Sequence, residues 1–123
     1  LGAAHATANP LTARYGITHG IAVGLMLPHV MRFNSELVNG LYGDLVNISN
    51  LSNLPCESGV EKLILRFQQL KATANLPVTL QELSIPPNIL PQLAKDAAQQ
   101  WTGNFNPRPV GETELLALYE SCY

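Results

Sequence analysis

The stretch that decides the fold is residues 5–34, "HATANPLTARYGITHGIAVGLMLPHVMRFN". Its first part, about residues 2–14, is dense in alanine and other small residues. It has no run of alternating β-branched residues and therefore reads as a helix. Pro10 has no N–H for the Ala6 carbonyl, so a kink is expected there. Gly16, in "RYGITHG", is the best break, because glycine accepts backbone angles that other residues avoid. A second helix then runs from about Thr18 to Phe33, apolar almost all round as a central buried helix should be. Pro28 suggests a bend or an end in it. Helix, glycine turn, buried helix: this order predicts an all-α fold.

The rest of the chain extends the pattern. "SELVNGLYGDLVNIS" is a further helical segment. "SGVEKLILRFQQLKATAN" opens with Ser58 and has Glu61 three residues on, the spacing of a capping box. Its apolar positions Val60, Leu63, Ile64, Phe67 and Leu70 follow a 3.6-residue period, and Asn75 and Pro77 end it. Thr79 and Glu82 repeat the capping-box spacing, which predicts one or two helical turns in "VTLQELSI". "PPNILPQLAKDAAQQW" reads as a helix capped by Asn88 with Pro91 in its first turn. "TGNFNPRPVG" is a loop, and "ETELLALYESC" a short closing helix. The sum is a bundle of five to seven helices in a single all-α domain, residues 1–123.

Composition narrows the function classes. Only 13% of residues are charged, against 46% hydrophobic. Soluble domains average roughly 25% charged. The shortfall suggests that part of the surface is covered by a partner subunit, including a homo-oligomer, or by another domain. Seven Lys and Arg with no basic run argue against a nucleic-acid partner. The longest apolar run, "IAVGLMLP", is too short to span a bilayer, so no membrane role is expected. Cys56 and Cys122 form neither a disulfide framework nor a metal-type pair, which suits a cytoplasmic protein. The chain starts at Leu1 inside an apolar pattern with no cap or linker, so a piece of a larger protein is expected.

The candidate chemistry lies in His5 and His19, fourteen positions apart. On one straight helix that is a rise of about 21 Å. Two imidazoles that share an ion each bind it at about 2 Å. They can meet only if the chain turns between them, and Gly16 supplies a turn. The spacing allows a shared site without requiring it. Two histidines also fall short of the three protein ligands usual in a catalytic metal site. His29, in "LPHV", lies nearly three turns beyond His19 and reads as structural.

"LGAAHATANPLTARYGITHGIAVGLMLPHVMRFN" and the later "NFNPRPV" together resemble the iron-containing (group III) alcohol dehydrogenases, over essentially the whole chain. The resemblance implies the C-terminal part of a two-domain, dehydroquinate synthase-like dehydrogenase. The N-terminal NAD(P)-binding domain and the metal's Asp and His ligands would lie upstream. It implies a divalent metal, iron or zinc, held in part by His5 and His19. It also implies NAD or NADP in the full-length enzyme only, and a small alcohol or aldehyde substrate. This chain alone would then be inactive, with no complete catalytic set.

Asn9 stands where the family has a second histidine, on the helix face of His5 and toward the substrate cleft. An amide cannot relay protons near neutral pH. Thr12 and Thr18 replace the family's glycine and proline. Ile21 after Gly20, and Ala8 before Asn9, favour the alcohol dehydrogenase branch over dehydroquinate synthases and maleylacetate reductases. A maleylacetate reductase-like oxidoreductase is the alternative enzyme. A stand-alone helical domain without catalysis, associating with itself or a partner, is the alternative from another class.

Overall fold

The computed structural model describes all 123 residues, and every regular element in it is helical. α1 spans Ala3–Tyr15, α2 His19–Ile48, α3 Gly59–Thr73, α4 Leu90–Ala98 and α5 Glu112–Ser121. Short 3₁₀ turns, Pro87–Ile89 and Trp101–Phe105, precede and follow α4. The expected all-α bundle is thus present, and its helices count at the lower end of the expected range.

α1 runs through Pro10 without interruption and ends where glycine was expected to end it. Gly16 is left-handed, at φ 64° and ψ 18°, and its N–H bonds back to the Thr12 carbonyl. That is the usual glycine terminus of a helix.

α2 departs from expectation. It carries both segments that the sequence separated, and they meet at a kink at Val38 rather than just after Phe33. It does not break at Pro28. Its one non-helical residue is Val38, at φ −125° and ψ 22°. Pro28 removes a single hydrogen bond. The turn around it is clamped by Leu25, Met26 and Val30, all buried in the main core. Val38 is a β-branched residue outside both cores, so nothing opposes the bend there.

Two of the three expected N-terminal caps are partly realised. Ser58 Oγ accepts the Glu61 N–H at 3.3 Å, but the Glu61 carboxylate turns away to Arg32 on α2. Thr79 Oγ1 accepts the Glu82 N–H and Glu82 Oε2 accepts the Val78 N–H, yet residues 79–84 form turns rather than a helix. Ser84 at φ 58° closes that segment before it can propagate. Asn88 caps nothing: it lies inside the first 3₁₀ turn, and α4 begins two residues later with Pro91 in its first turn.

The main core joins α1, α2, α4 and α5 through Leu11, Leu25, Met26, Leu93, Leu115 and Tyr119. A smaller cluster (Met31, Val46, Val60, Leu63, Ile64) seats α3 on the outer half of α2. The seat is close. A Cβ on Gly59 would come within 3.0 Å of the Gly43 backbone. α1 is consequently packed between α2, α4 and the second 3₁₀ turn, which fixes the helix that carries His5.

Candidate metal centre

His5 lies in the first turns of α1 and His19 is the first residue of α2. From His5 to Tyr15 the helix rises about 15 Å. The turn at residues 16–18 and the reach of the two side chains must together make up that distance for the rings to meet, and the rings do meet. The two imidazole centroids are 5.4 Å apart, with their planes at 49°. An ion bound at about 2.1 Å by one nitrogen of each ring lies about 3.2 Å from each ring centre, so a tetrahedral angle at the ion separates the centres by about 5.2 Å. The pair therefore has the spacing of two ligands on one ion.

Burial, first, and the neighbouring His19 ring lower the His5 pKa from its ordinary value. His5 is thus held neutral, the state in which imidazole binds a metal. No third His, Cys, Asp or Glu joins the pair to complete a set.

Beside His19 opens a cleft of about 630 Å³, lined also by Asn9, Thr12, Arg14, Asp96 and Gln100. Asn9 lines this cleft, and its amide is engaged: Nδ2 donates to Gln100 Oε1 at 2.9 Å. Gln100 in turn donates to the Asp96 carbonyl at 3.4 Å. Arg14 Nε pairs with Asp96 Oδ2 across the cleft. That hydrogen bond holds the Asp96 carboxyl below its ordinary pKa and raises the Arg14 guanidinium. The Thr12 hydroxyl is shielded from solvent and has no partner. Gln100, Arg14 and Asp96 carry no signal in the sequence, because they meet only where α1 and α4 pack.

His29, read as structural, sits apart from this centre. Its Nδ1 is 2.9 Å from Ser121 Oγ, which donates to the Leu118 carbonyl. With its proton committed there, Ser121 accepts from the ring, which places the imidazole proton on Nδ1.

The family described as "Fe-containing alcohol dehydrogenase family, C-terminal" matches residues 1–123. Among curated proteins the chain is 26% identical over 125 residues to lactaldehyde reductase of Escherichia coli K12, covering all of this chain and 33% of that protein. It is 28% identical to 1,3-propanediol dehydrogenase of Klebsiella pneumoniae, covering all of this chain and 32% of that one. The crystal structure of a 1,3-propanediol oxidoreductase superposes with a TM-score of 0.89 at 28% identity, over the whole of this chain and 33% of the other. The chain therefore spans about a third of the length of these relatives. No helix is long and apolar enough to cross a membrane. Match and superposition both run from the first residue to the last, and on that ground the chain belongs to the iron-containing alcohol dehydrogenase family, as its C-terminal helical part.

Proposed function

We propose that this chain is the C-terminal part of a metal-dependent, NAD(P)-linked alcohol dehydrogenase acting on small alcohols and aldehydes, and that His5 and His19 supply two of the metal's ligands. The observation that carries the reading is the 5.4 Å ring pair, formed by residues fourteen apart in sequence at the edge of an open cleft. Iron is the metal the family implies, and zinc would suit the same nitrogen ligands. When bound, the metal supplies Lewis-acid polarisation of a substrate oxygen while hydride moves between carbinol carbon and nicotinamide. Asn9 offers the cleft an amide already tied to Gln100. It can accept a hydrogen bond from a substrate hydroxyl but cannot take up its proton. The remaining metal ligands, an Asp and a His on an upstream helix, and a separate nucleotide-binding domain lie outside these residues, so this chain by itself turns over no alcohol.

The test is titration of the chain with Co²⁺, followed by paramagnetic shifts of the imidazole protons. Both His5 and His19 resonances should shift together, and His5→Ala or His19→Ala should abolish the shift at the surviving ring. Cobalt binding that survives both substitutions sinks the assignment.

A second reading, a non-catalytic association domain, draws on the outer half of α2. Leu37, Leu41, Leu45 and Ile48 recur there at helical spacing and stand exposed. Sedimentation velocity separates the readings, because a monomer that binds no apolar dye leaves that stripe without an associative role.

A further inference from the structure

The "NFNPRPV" segment does more than close a loop. α1 has no side-chain cap of its own, since Gly2 precedes it. The first N–H of the helix, that of Ala3, instead donates to Asn106 Oδ1 at 3.2 Å, from a residue 103 positions away. The same Oδ1 accepts from Asn34 Nδ2 on α2 at 3.0 Å. Asn106 Nδ2 donates to Asn34 Oδ1 at 2.7 Å and to the Arg108 carbonyl at 2.6 Å. The side chain is thus fully used, and it ties the head of α1 to α2.

Its neighbours tighten the grip. Arg108 Nη1 donates to the Phe33 carbonyl at 2.9 Å and pairs with Glu36 at 3.0 Å, and its guanidinium lies 3.9 Å over the Phe33 ring. Gly2 is at φ 112°, and a Cβ there would come within 3.2 Å of Asn106 Oδ1. The chain before α1 is shaped to admit this one side chain.

His5 follows Ala3 by two residues, in the turn that Asn106 caps. An uncapped first turn frays, because its N–H groups have no partner within the helix. We propose that Asn106 is a positioning residue: it caps α1 from across the fold and so holds the His5 imidazole against His19. The proposal deepens the metal reading and rests on it for its purpose, but not for its geometry.

The test compares the chain with its Asn106→Ala and Asn106→Asp variants, well below the melting temperature of each. The readouts are the nuclear Overhauser effect between the His5 and His19 ring protons, Co²⁺ affinity from imidazole shifts, and the melting temperature. Asn106→Ala should weaken the ring contact and weaken Co²⁺ binding by up to about fivefold, the factor that the loss of a helix cap sets on the fraying equilibrium. Asn106→Asp keeps an acceptor, and adds negative charge, at the helix N-terminus. It should recover both readouts in part, because its second oxygen faces the Asn34 Oδ1 and the Arg108 carbonyl to which Nδ2 now donates. An Asn106→Ala variant that melts earlier with ring contact and cobalt affinity intact overturns the proposal, as does a folded Asn106→Asp variant that recovers neither. If Asn106→Ala does not fold, Asn106→Asp alone decides by the same two readouts. If the unsubstituted chain binds no Co²⁺, the metal reading fails, while the ring contact still judges the brace.

Discussion

Replacing Tyr119 by phenylalanine removes one oxygen from the centre of the fold. Tyr119 is fully buried on α5, and its hydroxyl donates to the Thr7 carbonyl of α1 at 2.7 Å. The ring remains in the Tyr119→Phe variant, so its contacts with the core persist and no large cavity opens. The Thr7 carbonyl also keeps the helical bond expected from the residue four positions on. The cost is then that of one buried neutral hydrogen bond, about 1 kcal/mol, or roughly 4 °C in melting temperature for a domain of this size.

A second limb follows from ionisation. Burial pushes the Tyr119 phenol well above its usual range. The folded chain therefore keeps this proton after the unfolded chain has begun to release it. Stability from this group is complete below about pH 10, the unfolded value, and is lost progressively above it. Cys122, pushed up to about 11 by burial, contributes with the same sign but is present in both chains. The stability difference between them therefore isolates Tyr119. Urea unfolding followed by far-UV circular dichroism should show the unsubstituted chain more stable by about 1 kcal/mol near neutral pH. That gap should narrow above pH 10 or so and then reverse. A neutral-pH gap below about 0.3 kcal/mol, within the scatter of such differences, or a gap unchanged in alkali, refutes the argument.

Other perturbations test other parts. Burial, then the charges of Arg32 and Lys71, lower the His29 pKa to about 4. Its contribution to stability is full above the unfolded value of about 6.5 and is lost as pH falls toward 4. Urea midpoints at neutral and acid pH should therefore diverge more for the unsubstituted chain than for His29→Gln. Gly16→Ala meets no atom within 4 Å but must sit at φ 64°, costing about 1 kcal/mol by urea unfolding. Gly59→Ala has an ordinary backbone but would meet Gly43 at 3.0 Å. It should cost about 1–3 kcal/mol by overpacking, and amide exchange should quicken in α3 before it does in α1. Equal exchange in both helices would show that α3 is not seated by that contact.

How far the sequence reached depends on the range of the forces involved. The Gly16 turn was legible because a left-handed residue has a local cause. So was the amphipathic face of α3, four of whose five expected apolar positions lie buried or against the smaller core. Of the bend or end expected at Pro28, the end did not form, because a proline removes one hydrogen bond and core packing on both sides outweighed it. Asn88 failed as a cap because a 3₁₀ turn formed first.

That the chain is helical, where α1 stops, and which two imidazoles a turn could bring together all follow from local patterns of residues. Periodicity, glycine and helix rise act over a few residues, so they can be read without a partner. The tertiary structure alone decided that the two rings lie 5.4 Å apart rather than about 21 Å, the straight-helix value. It also decided that Asn9 is engaged by Gln100 and that α1 is capped by Asn106. These are contacts between residues up to 103 positions apart. They depend on how helices pack, which no local pattern of residues encodes.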